Sequence, residues 1–151
     1  MKALLQRVTK ASVKVDNQIV GQINDGLLVF LGVEKGDTSA EADFLAKKIA
    51  NLRIFKDEDD KMNKSILDIK GQMLIVSQFT LCGDTSRGNR PGFDKAALPD
   101  EANRLYLYFS NQVKNLGIDV QNGIFGADMK IELLNDGPVT FMLEKKSAKI
   151  F

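Results

Sequence analysis

The run IELLNDGPVTFMLE, residues 131 to 144, puts a proline where a β-hairpin should begin its return strand. Asn135-Asp136-Gly137 has the composition of a tight turn between two apolar-rich segments. Pro138, however, has no N–H to give to a sheet ladder, and it restricts the dihedrals of the residue before it. The segment therefore needs either a special turn or an edge on which that N–H is not called for. Glycine at 137 accepts dihedrals that other residues refuse, and a constrained turn leaves main-chain N–H and C=O groups pointing outward. A purely structural turn and a ligand-holding one are both open at this point. On either side, MKIELLN and VTFMLEK read as two strands.

Upstream, the pattern alternates between strand and helix periods. KALLQRVTKASVKVD and QIVGQI carry β-branched residues in near alternation around Asp16-Asn17, which predicts two strands and a hairpin. Gly26 introduces LLVFLGV, a continuous apolar run suited to a central strand buried on both faces. In GDTSAEADFLAKKIANL, Thr38 and Glu41 have capping-box spacing, and Leu45, Ile49 and Leu52 form one apolar stripe, so a helix is predicted. KDEDDKMNKS is a polar connection whose acidic run lacks the alternating ligands and glycine of a calcium loop; it reads as solvated surface. GQMLIVSQFTL is a second buried strand that turns polar at its end. CGDTSRGNRPGFDKAALPD has no periodicity, and a loop of that length in a compact domain is usually functional or disordered. A second helix carries Ala102, Leu105, Phe109, Val113 and Leu116 on one face and stops at Gly117. With no repeat, linker or low-complexity segment, residues 1–151 read as a single α+β domain.

Composition removes much familiar chemistry. There is no His, and Cys82 is the only cysteine. Ser-His-Asp and Cys-His catalysis, zinc sites built on His or paired Cys, and a disulfide framework are all excluded. So is the one side chain that titrates near neutral pH without special tuning. An enzyme of this composition works without a conventional general base, or its substrate supplies one. Cys82 is expected to be a small buried or half-buried residue. The net charge of +1 neither announces nor excludes a polyanionic partner. The longest apolar runs are too short to cross a bilayer, and no signal peptide is apparent, so a cytoplasmic protein without a membrane partner is expected.

Four stretches are candidate sites. Ser77, Gln78 and Thr80 stand where an apolar strand gives way to a long loop, a common way to mount polar groups on a rigid support; they could equally hydrogen-bond the turn. Neither hydroxyl has a base close in sequence, which favours positioning over covalent attack. Arg87, Arg90 and Lys95, interleaved with glycines, suit phosphate or RNA-backbone contact, or serve solubility; the stretch lacks the Gly-Lys-Ser/Thr ending of a P-loop. Phe125, between small residues in NGIFGADMK, fits a snug base pocket or ordinary core packing. Gly137-Pro138 is the fourth.

Taken in order, LLQRVTKASVKV, SQFTL, RGNRPGF, GIFGADM and NDGPVTF resemble the D-aminoacyl-tRNA deacylases, from Met1 to about Leu143. Asn122, before Gly123, departs from the threonine expected there and lies beside the candidate pocket. The resemblance implies mixed and antiparallel sheets forming a barrel-like core with flanking helices. It implies hydrolysis of the ester between a D-amino acid, or mischarged glycine, and the 3′-terminal adenosine of tRNA, with no metal or cofactor. It also implies a homodimer with active sites at the interface, into which each subunit inserts a cis Gly-Pro pair, here Gly137 and Pro138. Those main-chain groups would hold the substrate amino group and exclude an L side chain, with Arg7 bracing the turn. The ribose 2′-OH would assist hydrolysis, the main chain at Phe79 and Thr80 would donate to the oxyanion, and Ser77 and Gln78 would position the terminal nucleotide or the water. Phe125, Ala127 and Met129 would line the adenosine pocket, with Arg87 and Arg90 on the tRNA backbone. Two rivals are carried: an ester hydrolase using Thr80 as nucleophile, and a non-catalytic tRNA-binding module.

Overall fold

The computed structural model describes residues 1–147. Its organising element is β1 (Lys2–Val15), long enough to serve three partners. Asp16 and Asn17, both at positive φ, reverse the chain in the two-residue turn expected there, and β2 (Gln18–Ile23) returns along residues 11–15. The same edge then takes β3 (Gly26–Gly32) opposite residues 2–8. β3 pairs in parallel with β6 (Gln72–Ser77), and β6 in parallel with β7 (Asp119–Asn122). The other edge of β1 is covered along its length by β8 (Lys130–Glu144).

The sheet curls until its ends nearly meet. A Cβ added at Gly21 of β2 would lie 2.6 Å from the carbonyl oxygen of Asn122 on β7, so only glycine allows the two backbones this close. The result is an α+β fold in which a nearly closed, barrel-like sheet carries helices on its outside. Two apolar clusters follow. Inside the barrel lie Val8, Val13, Ile23, Leu28, Leu74 and Val76. On its outer face, Leu5, Leu27, Val29, Leu31 and Ile75 pack against α1 (Ser39–Asn51) and α3 (Pro99–Asn115) through Leu45, Ile49, Leu105 and Phe109. This explains the uninterrupted run in β3: alternate residues face the barrel interior and the helices, and each fully buried side chain contributes about 1.5–3 kcal/mol.

Helix α1 begins as its sequence indicates. The Thr38 side chain accepts from the Ala40 N–H, and Glu41 Oε2 accepts from the Thr38 N–H at 2.7 Å. Leu45 and Ile49 are buried, with Leu52 packed against them. In the second helix Leu116 departs from expectation: it is the C-cap and 39% exposed, because the face that buries Val113 has rotated away by the final turn. Three elements carry too short a pattern to be read from sequence. They are the hairpin of β4 (Phe55–Lys56) with β5 (Met62–Lys64), the one-turn α2 (Ile66–Ile69), and β7. The acidic run forms the turn of that hairpin: Asp57 accepts from the N–H groups of Asp59 and Lys61 and from Asn63 Nδ2.

The larger correction concerns the C-terminal segment. MKIELLN and VTFMLEK are not two strands folded about a turn. Both run antiparallel to β1 as halves of β8, residues 130–135 opposite 14–8 and residues 140–144 opposite 6–2. The chain never reverses. Instead residues 136–139 bulge outward opposite the single residue Arg7, so the N–H that Pro138 lacks is one the ladder does not require.

Candidate active site

The bulge is built around Arg7. This side chain is 4% exposed, and its guanidinium is held at two points: Nε donates to the Asp136 carbonyl at 3.0 Å and Nη1 to the Ile54 carbonyl at 2.8 Å, while the Asp136 carboxylate lies 3.6 Å from Nε. From the other side, Asn135 Oδ1 accepts from the Val139 N–H at 3.1 Å, and Asn135 Nδ2 donates to Thr140 Oγ1 at 2.9 Å. Held between these, Gly137 and Pro138 are exposed, with a cis peptide between them, whereas Val139 beside them is buried. The outcome is a short length of main chain, without a bulky side chain, projecting from the edge of β8.

A second group of residues surrounds a cavity of about 660 Å³, within the range of roughly 300–1,000 Å³ that small-molecule sites occupy. Its wall is the C-terminal end of β6 with Ser77 and Gln78, continuing into a 3-10 turn, Phe79–Cys82. Opposite stand Phe125, Ala127 and Met129 from the segment joining β7 to β8. The Gln78 side-chain amide donates to Thr80 Oγ1, tying these two polar groups together; Thr80 itself is outside the cavity lining. An amide can orient that hydroxyl but cannot take its proton.

Phe125 is positioned from behind. Its ring lies 6.2 Å from that of Tyr106, a buried residue whose hydroxyl donates to the Ile75 carbonyl at 2.6 Å. Asn122 Nδ2 donates to the Tyr106 hydroxyl and to Ser110 Oγ, at 3.0 and 2.8 Å. Burial raises the Tyr106 pKa, keeping the phenol neutral. Asn122 thus holds α3 to the base of the pocket segment. Cys82 is buried and donates toward the Val33 carbonyl; burial pushes its thiol up to about 11, so it offers no thiolate at neutral pH.

Of the residues singled out in the sequence, Ser77, Gln78, Phe79, Phe125, Ala127 and Met129 are brought together around the cavity. Gly137, Pro138 and Arg7 are brought together too, but elsewhere: none lines the cavity of the same chain. Arg87 and Arg90 are exposed on the loop that follows the 3-10 turn. Sequence reasoning missed Lys35, Phe93 and Leu98, which also line the cavity. Phe93 left a trace, as the single aromatic residue in a polar, glycine-rich stretch. Among the described residues, no group of three or more His, Cys, Asp or Glu could hold a metal ion.

A nearly closed α+β barrel with polar groups at a strand end beside an apolar cavity defines an architecture shared with solved structures. One of a probable eukaryotic D-amino acid tRNA deacylase superposes with a TM-score of 0.80 at 19% identity, covering 94% of this chain and 97% of that one. A "c-Myc DNA Unwinding Element Binding Protein" superposes with a TM-score of 0.91 at 40% identity, covering 97% and 99%. The D-Tyr-tRNA(Tyr) deacylase family model matches residues 4–144, and the chain belongs to that family of enzymes. A D-aminoacyl-tRNA deacylase of Geotalea uraniireducens is 61% identical over 149 residues, 99% of this chain and 96% of that protein. That of Geotalea daltonii is 60% identical over 144 residues, 95% and 96%.

Proposed function

We propose that residues 1–151 form one deacylase domain that cleaves the ester of D-aminoacyl-tRNA, and of glycine mischarged on tRNA, in the cytoplasm. It acts as a homodimer in which the Gly137–Pro138 main chain of one subunit enters the cavity of the other. The observation that carries this reading is the separation of two half-sites. The rigid main-chain projection does not line its own chain's cavity, and it lies on a strand edge that pairs with no other strand among the described residues. That edge strand is 15 residues long and exposes Leu134, Phe141 and Met142, a combination that a second subunit would cover.

Chemistry then follows from what the residues can do. With no His in the chain, no imidazole stands beside Ser77 or Thr80, and the Thr80 hydroxyl is already paired with an amide. The ribose 2′-OH of the substrate, adjacent to the ester, supplies the proton relay. Charge developing on the carbonyl oxygen is met by the N–H groups of Phe79 and Thr80 at the start of the 3-10 turn, where Gln78 makes no side-chain cap. The filter works by exclusion. A backbone braced by a buried arginine cannot yield to an L side chain, glycine has no side chain to reject, and rejection by clash exceeds the roughly 1–3 kcal/mol of a single missing methylene. The adenine base fits between Phe125 and Met129, with no cofactor required.

The test is deacylation of matched D-Tyr-tRNA and L-Tyr-tRNA by the purified protein without added metal. Loss of the D ester at a rate at least about a hundredfold above the L ester supports the reading; equal cleavage removes the filter, and binding without cleavage removes the enzyme. Thr80→Ala is expected to retain activity within about tenfold in the same assay, since it loses one positioning bond. A fall of several orders of magnitude would instead assign Thr80 as the nucleophile.

A further inference from the structure

The loop after the 3-10 turn has more structure than its composition suggests. Asp84 and Gly92 exchange a pair of main-chain hydrogen bonds, at 2.7 and 2.9 Å, which pinch residues 85–91 into a finger with Arg87 and Arg90 beyond the pinch. Asp84 Oδ1 also accepts from the Ser86 N–H at 2.9 Å and starts the finger's turn. The base of the finger is fixed to the barrel: Lys35 N–H donates to the Lys95 carbonyl and Ala97 N–H to the Val33 carbonyl. Between pinch and barrel sits Phe93. Its ring lies 5.0 Å from that of Phe79, inclined at 59°, and a Cβ at Gly83 would come within 3.1 Å of it.

Both rings line the cavity, yet they remain 56% and 39% exposed for Phe79 and Phe93. A core pair would not be left this wet. The surface thus runs from the cavity, over two exposed aromatic rings, to two arginines on a finger. We propose that this surface is a subsite for the penultimate nucleotide of the acceptor strand. Its base stacks on the Phe79–Phe93 pair and its backbone phosphate is met by Arg87 and Arg90. The proposal rests on the deacylase reading, which places only the terminal adenosine in the cavity. The chemistry recognised is that of an unstacked nucleotide: a π-face for the ring and an anion for the guanidinium groups. Sequence-tolerant stacking suits an enzyme that must act on many tRNAs.

The experiment compares the D-tyrosyl esters of adenosine and of the dinucleotide CpA, alongside D-Tyr-tRNA. For the unaltered protein, kcat/KM is expected to rise about tenfold from the adenosine ester to the CpA ester, chiefly through KM. Phe93→Leu should remove that step, and Phe93→Tyr, which keeps a ring, should restore it. Replacing Arg87 and Arg90 together by Ala should shrink the step and flatten its salt dependence; both residues are exposed on the finger, so this variant serves even if Phe93→Leu folds poorly. An unaltered protein that treats the two esters alike, or a Phe93→Leu that lowers both by one factor, overturns the subsite and leaves the deacylase standing. Failure of the unaltered protein to cleave any D ester removes the deacylase reading itself.

Discussion

Gly137→Ala is expected to lower turnover of D-Tyr-tRNA about a hundredfold while the protein still folds. The new Cβ would fall 2.7 Å from Val139 Cγ2 and 2.9 Å from Arg7 Nη2, and φ at this position is +130°, a region that L residues rarely enter. Neither neighbour can step aside cheaply. Val139 is buried and its N–H is bound to Asn135, while Arg7 is buried and tied to two carbonyls. The projection must therefore move, and a displacement near 1 Å at a positioning group costs on the order of a hundredfold in rate. Because Gly137 is exposed, the loss in stability should stay near 1–3 kcal/mol. The measurement is a rate on D and L esters beside a thermal melt. The D rate should fall far more than the melt shifts, with the D-to-L ratio falling too. A variant that retains the full D rate and full selectivity would show that this main chain is not the filter.

How far the residues announced this arrangement differs by element. The hairpin at Asp16-Asn17, the two-sided burial of LLVFLGV and the capping box at Thr38 were all legible, because each is decided by residues close in sequence. β8 was not. Asn135-Asp136-Gly137 has turn chemistry, and only pairing with β1, more than 120 residues away, keeps the chain running forward through it. The same holds for the site. SQFT could be placed at a strand end, but that Phe93 turns back onto Phe79 depends on the Asp84–Gly92 pinch, which no periodic pattern signals. Likewise, the tie from Asn122 to Tyr106 spans 16 residues between a short strand and a helix, and neither end looks polar for a reason until both are placed.

Arg7 offers the sharper division between holding the fold and holding the filter. Arg7→Ala removes the donors to the Ile54 and Asp136 carbonyls at a buried position, and each carbonyl left unpaired costs about 1–3 kcal/mol. The aliphatic stem is lost as well. A total near 3 kcal/mol should lower the melting temperature by about 6–12 °C for a chain of this size. Arg7→Lys separates the two roles. Lysine keeps the charge and much of the stem, but a single ammonium cannot reproduce the fork that reaches Ile54 in one direction and Asp136 in another. Part of the melting temperature should therefore return, while turnover of the D ester stays at least about tenfold below that of the unaltered protein. Residues 136–139 would then lie against β1 without the brace that sets their direction. If Arg7→Lys restores stability and D-ester turnover together, charge near Asp136 suffices and the geometry of the fork is not what aims the projection.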